Sequence, residues 1–249
     1  MCIRDSDKVF DTDFGADMTI MEEANEFIDR VKNGGKLPII TSCSPGWVKF
    51  CEHYYPNLTE NLSTCKSPQQ MTGALIKTWY AEKEGIDPEK IVSVSVMPCV
   101  AKKFEIMRND EAAAGLPDVD ISITTRELAR MIKMAQLNFQ RLPEEEFDPA
   151  MGVSTGAATI FGATGGVLEA ALRTAADVLE GTDHANVEYT EIRGTQGFKE
   201  AVYKVAGMDV KVAVVSGLNN ANELLSKIEK GEADYHCLLY TSDAADDLT

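Results

Sequence analysis

Short runs of β-branched and aliphatic residues at Leu37–Thr41, Ile91–Val96, Val187–Ile192 and Val210–Val215 are interleaved with longer segments whose apolar residues recur every three or four positions. That alternation predicts an α/β fold with a mainly parallel sheet. Helices are expected over 19–32, 46–54, 67–84, 125–135, 165–180 and 219–230. Their starts carry capping chemistry: Thr19 with Glu22 and Thr124 with Glu127 form the capping-box pattern, and Pro68 after Ser67 suits a first helical turn. The stretch Asp110–Asp120, with Gly115 and Pro117, reads as a loop, and no internal repeat is visible. The two ends, MCIRDS over 1–6 and CLLYTSDAADDLT over 237–249, lack apolar periodicity. Both resemble translated sequencing-adapter read-through, so they are expected to be non-native tails without structure around a domain at 7–236.

Where a strand passes directly into a helix, the connecting residues lie at the carboxyl edge of a parallel sheet, the edge at which open α/β folds hold ligands. Two cysteines fall at such points. Cys43 follows Leu37–Ile40 and precedes a helix opened by Pro45, and Cys99 follows Ile91–Val96. Helix dipoles favour the thiolate, the form that ligates metals, although an inert buried cysteine is the commoner case for either taken alone.

The net charge of −16, from 40 acidic against 24 basic residues, argues against nucleic acid or an anionic membrane surface as a partner. No apolar run approaches the roughly 20 residues of a membrane helix, and no secretion signal opens the chain, so a cytoplasmic protein is expected. Six scattered cysteines do not form a disulfide framework and fit reduced thiols or metal ligands better.

TSCSPGW at Thr41–Trp47 and MPCVAKKFE at Met97–Glu105 resemble the first two signature loops of the iron-only (FeFe) hydrogenases. The resemblance continues through TDFGADMTIMEEANEF near the start, LSTCKSPQQM at Leu62, ITTRELA at Ile123, DPAMGVSTGAATIFGATGGVLEAALRTA at Asp148 and YTEIRG at Tyr189. It implies two α/β lobes, with mainly parallel sheets flanked by helices and a metal site in the cleft between them. The implied cofactor is the H-cluster: a 4Fe-4S cubane bridged through a cysteine sulfur to a two-iron unit carrying CO, CN and a dithiolate. The implied activity is reversible reduction of protons to H2. Ferredoxin or NADH-linked subunits would exchange electrons, and maturation proteins would supply the two-iron unit.

Carried over residue by residue, the resemblance makes Cys99 a cubane ligand and Lys102 the cation beside a cyanide ligand. Ser67, Gln69, Met97, Pro98, Phe161 and Gly162 match the lining of the two-iron cavity, where Gly162, Gly165 and Gly166 would admit close backbone approach. The proton path matches Cys43, Glu26, Ser63, Glu23 and Arg30. Of these, Glu23, Glu26 and Arg30 share one helix face by spacing, the pattern also of a solvated charged face. The first loop departs from the family, which has two adjacent cysteines where Cys43 and Ser44 stand here. Either Ser44 ligates iron while Cys43 exchanges protons, or Cys43 ligates and the Ser44 hydroxyl takes over exchange. Cys65 is assigned to packing. The family's remaining two cubane ligands follow the position of Tyr235 and His236, where this chain reads CLLYTSDAADDLT, and Cys237 stands too early to replace them. The expectation is therefore a fragment inactive alone. An H2-sensing regulatory relative and a hydrogenase-like iron-sulfur assembly protein are the alternatives.

Overall fold

The computed structural model describes residues 6–149, 151–163, 165–181, 197–205 and 207–241. Two compact units divide the chain: one combines the N-terminal residues through Gly15 with Pro68–Ser154, the other combines Ala16–Ser67 with the chain from Thr155 onward. The architecture is α/β with parallel sheets flanked by helices, as the alternation predicts.

The second unit is a three-layer sandwich. Its sheet runs in the order β1 (Ile39–Ile40), β6 (Cys237–Thr241), β5 (Met208–Ser216), β4 (Phe198–Val205), with β6 parallel to both neighbours and β4 antiparallel to β5. Successive strand residues point to opposite faces, so Ile39, Val212, Val214 and Leu239 pack with Phe27 of α1 (Asp13–Asn33) and with Leu168 and Leu172 of α8 (Gly166–Glu180). Ile40, Ala213, Val215 and Leu238 pack on the other face with Trp47 of α2 (Pro45–Tyr54) and Leu224 and Leu225 of α9 (Leu218–Glu229). Each fully buried leucine contributes roughly 1.5–3 kcal/mol over its exposed state.

The central strand β6 overturns the expectation that residues from 237 onward carry no structure. Cys237, Leu238, Leu239 and Tyr240 are all buried, and the Tyr240 ring stacks on Trp47 at 4.6 Å and 7°. A strand covered on both faces needs a continuous apolar run rather than alternation, which is why a periodicity criterion passes over CLLY. Residues 1–5 and 242–249 lie outside the described residues.

The first unit is built on a two-stranded parallel sheet, β2 (Val94–Met97) beside β3 (Ile121–Thr124). The helix expected over 67–84 forms as α3 (Pro68–Leu75) and α4 (Ala81–Glu84) joined by a π turn at Ile76–Tyr80. That turn carries Lys77, which is buried, donates to the Ile91 carbonyl at 2.6 Å and pairs with Asp120 at 2.8 Å, tying the helix to the starts of both strands. The unit also holds the helices α5 (Ala101–Glu105) and α6 (Thr125–Met134).

Thr124 caps α6 reciprocally with Glu127, as the sequence predicts. Thr19 does not cap: α1 begins at Asp13, and the Thr19 hydroxyl, now inside the helix, donates to the Lys66 carbonyl at 3.2 Å. β3, α5, α7 (Gly156–Phe161) and β4 are absent from the elements that the pattern predicts. The first three are short, and β4 is half of a hairpin in which Val205 pairs with Met208 and Gly207 adopts φ 79°. The strand expected at Val187–Ile192 lies outside the described residues.

In the glycine-rich segment after α7 (Gly156–Phe161), Gly162 faces open space, whereas a Cβ on Gly166 would lie 1.7 Å from the Ile160 carbonyl oxygen. Gly166 is thus required by the packing of α8 on α7. Gly166→Ala is expected to cost about 2 kcal/mol, read as a lower urea midpoint at unchanged slope, whereas Gly162→Ala should leave the midpoint in place.

Candidate functional site

In the first unit, β2 delivers Met97, buried, to the sheet's carboxyl edge, followed by exposed Pro98 and half-buried Cys99. The Ala101 N–H donates to Cys99 Sγ at 3.2 Å, a hydrogen bond that stabilises negative charge on sulfur. One turn on, Lys102 Nζ donates to both carboxylate oxygens of Glu105, at 3.1 and 3.0 Å. Gln69, from α3, donates to the same carboxylate at 2.7 Å. Glu105 carries no role in the sequence reading, although it closes the MPCVAKKFE string; its burial is the property that a string of residue types does not display.

In the second unit, β1 leads through Thr41 and Ser42 to Cys43 and Ser44, both half-buried at the start of α2. Ser44 occupies the N-cap position, but its side chain makes no capping hydrogen bond. The Ser42 hydroxyl donates to the Cys65 carbonyl at 3.1 Å, fastening this loop to the Ser63–Cys65 segment. Ser67 is buried, and Phe161 packs at the edge of the α1–α8 core.

The face of α1 that spacing alone reads equally as a solvated stripe is largely buried. Arg30 donates through Nε and Nη2 to Glu26 Oε1 at 3.1 and 2.6 Å, and its other hydrogen bonds reach the carbonyls of Lys36, Glu60, Asn61 and Leu62. Ser63 Oγ donates to Glu26 Oε2 at 2.8 Å, and the Thr64 N–H adds a further donor. Burial opposes ionisation of Glu26, but these donors and the guanidinium charge outweigh it, and its pKa is lowered.

Glu23, one turn earlier, is 4% exposed, and neither of its oxygens has a hydrogen-bond partner among the described residues. The single Ser63 hydroxyl proton is committed to Glu26, so Ser63 gives Glu23 only weak polar compensation. Burial, reinforced by the neighbouring Glu26 charge, raises the Glu23 carboxyl to about 7. A cavity of about 20 Å³ adjoins it, lined by Glu23, Thr41, Cys237 and apolar side chains including Phe27 and Leu168. Such a volume suffices for a single water.

Cys65 belongs to this cluster rather than to packing alone. Its N–H donates to Ser63 Oγ at 3.2 Å and its thiol to Glu26 Oε2 at 3.4 Å, while burial pushes the thiol up to about 12, so it stays protonated. Cys237 is buried in β6, and burial raises its pKa as well, an environment that opposes the thiolate a metal requires. The structure thus brings together Glu26, Ser63, Arg30 and Cys65, with Glu23 alongside. In the other unit it gathers Gln69 and Lys102 on Glu105, close in sequence to Cys99. Among the described residues, no group of three or more His, Cys, Asp or Glu side chains is disposed to hold a metal ion.

Comparison with known proteins matches residues 4–239 to the family described as iron only hydrogenase large subunit, C-terminal domain. The chain is 52% identical over 238 residues to the NADP-reducing hydrogenase subunit HndD of Solidesulfovibrio fructosivorans, a match covering 93% of the chain and 40% of that protein. It is 50% identical to iron hydrogenase 1 of Clostridium pasteurianum, covering 92% of the chain and again 40% of the relative. Cytosolic iron-sulfur assembly component 3 of Mus musculus is 31% identical, over 92% of the chain and 50% of that protein. A solved apo FeFe-hydrogenase from Chlamydomonas reinhardtii superposes with a TM-score of 0.81 at 39% identity, covering 95% of the chain and 67% of the other. The chain therefore spans about half the length, or less, of these curated relatives.

Proposed function

Because the chain belongs to the iron-only hydrogenase family, matching the C-terminal domain of the large subunit, we propose that it is the cluster-holding part of an enzyme that interconverts protons and H2. The observation that carries this reading is the Glu23–Glu26–Ser63–Arg30 cluster: a scaffold that only holds iron and sulfur has no use for a buried carboxyl poised at about 7 beside a hydroxyl and a fixed carboxylate. Glu23 takes up and releases protons near neutrality, Ser63 passes them, and Arg30 keeps Glu26 ionised to receive them. Identity supports the same side, at 50–52% to the two named hydrogenases against 31% to the assembly component.

The donor chemistry at Cys99 suits an iron-sulfur cluster, since its sulfur already receives an N–H bond and a held ammonium lies one turn away. Cys99 would ligate, Cys43 and Ser44 would divide ligation and proton exchange, and Lys102, Ser67, Gln69, Met97, Pro98 and Phe161 would surround the two-iron unit. Bound, such a cluster supplies the redox chemistry. The described residues furnish only part of a cubane ligand set. One relative is named as a subunit of an NADP-reducing hydrogenase, which favours an electron-carrying partner protein, such as ferredoxin, here too.

The test is anaerobic reconstitution with iron and sulfide, of this chain and of a version carrying the family's two-cysteine motif beyond the strand β6. Hydrogen evolution from reduced methyl viologen then follows supply of the two-iron unit. Activity in the extended version, and loss of most bound iron in Cys99→Ser, are expected. Bound iron without hydrogen from either version would favour the assembly-protein reading instead.

A further inference from the structure

We infer that Glu105 is the positioning residue of Lys102, held in place by a buried polar network that starts on the strands β2 and β3. Ser95 and Ser122 lie directly opposite each other in the parallel register, and their hydroxyls both donate to Gln69 Oε1, at 2.7 and 3.2 Å. With its carbonyl committed to two hydroxyls, the Gln69 amide turns its NH2 toward Glu105 Oε2 at 2.7 Å and the Lys102 carbonyl at 3.4 Å. Glu105, 4% exposed, is thereby oriented, and both its oxygens receive the Lys102 ammonium.

A Lys–Glu pair three residues apart on a solvated helix is worth a few tenths of a kcal/mol and leaves a long side chain free to rotate. This pair differs. Its side chains are 13% and 5% exposed, and the carboxylate oxygen that Lys102 reaches at 3.0 Å also accepts from Gln69, a residue of another helix. The ammonium is therefore aimed by the strands through Gln69 and Glu105, rather than by its own rotamer preferences. The pair is itself neutral in sum, so Lys102 can offer directed donors to an anionic group while adding little to the field. The inference rests on the proposed function in taking that anionic group to be a ligand of the cluster; the aiming of Lys102 stands on the network alone.

The test follows the side-chain ammonium of Lys102 by nitrogen-15 NMR in the cluster-free chain, with thermal stability measured in parallel. Wild type is expected to show slow exchange of the ammonium protons with water. Glu105→Gln should accelerate it about tenfold, the loss of one charge-assisted hydrogen bond, and Glu105→Asp, which keeps the charge, should recover part of the protection. Ser95→Ala touches neither member of the pair and should accelerate exchange about threefold by loosening Gln69; it also serves if Glu105→Gln does not fold. Exchange unchanged in Ser95→Ala, or in a folded Glu105→Gln, overturns the inference, as does fast exchange in wild type. Iron uptake on reconstitution is scored separately. Failure of iron uptake in the version carrying the two-cysteine motif, with an ordered ammonium in the chain, overturns the functional reading and keeps the network, and bound iron in that version with a freely exchanging ammonium does the reverse.

Discussion

Glu23→Gln is expected to raise the stability of the chain at pH 8 by about 3 kcal/mol while changing it far less at pH 5. The Glu23 carboxyl titrates at about 7 in the folded chain against an ordinary value of 4.5. Between those values the folded state retains a proton that the unfolded state has lost, so stability falls as pH rises from about 4.5 and levels off above about 7. Glutamine has no charge to bury and escapes that loss. Urea denaturation of both proteins from pH 5 to 8 reads the difference directly, and parallel curves would show that Glu23 is not a buried acid. In a cluster-loaded protein the same substitution should lower hydrogen evolution by about two orders of magnitude or more, so stability and activity should move in opposite directions.

Arg30→Ala should have the larger effect on folding, a loss of about 3–5 kcal/mol, measured by urea denaturation at pH 7. The guanidinium satisfies Glu26 through two nitrogens and also reaches the carbonyls of Lys36, Glu60, Asn61 and Leu62. Its removal strands a largely buried carboxylate and loosens the turn leading to Ser63. The linked pH dependence runs opposite to that of Glu23. The Glu26 pKa is lowered in the folded chain, so its contribution is present above the ordinary carboxylate range and is lost as pH falls through the folded value. In Arg30→Ala that acid-side loss should shrink. Arg30→Lys should recover little, because a single ammonium does not replace a planar fork serving Glu26 and the carbonyls at once. A variant within 1 kcal/mol of wild type would mean that solvent replaces the guanidinium at little cost.

These two expectations concern residues whose types and spacing are legible in the chain but whose environments are not. Spacing puts Glu23, Glu26 and Arg30 on one helix face, where a solvated stripe and a buried relay look alike. The difference arises because α1 lays that face toward the Ser63 segment, which the sequence places more than thirty residues away. Cys65 enters the cluster and Glu105 holds Lys102 for the same reason: a hydrogen bond is decided by where a neighbour ends up, not by residue type.

Local chemistry was readable where one segment supplies all its partners. The Thr124–Glu127 cap, the helices at 46–54, 125–135 and 219–230, and the strands around Ile39, Val94 and Val210 need only their own residues to be specified. Thr19 shows the limit, since its pattern satisfies a cap but the helix had already begun at Asp13. The strand β6 shows it more strongly. CLLYT has no amphipathic signature, and only cover from α1 and α8 on one face and α2 and α9 on the other makes it a central strand. Periodicity, capping and motif strings are properties of neighbours along the chain, so they sufficed for the α/β class, most element positions and the family. Burial, charge pairing and the state of each carboxyl depend on residues far apart in sequence, and those were settled only when the two faces of the sheet were covered.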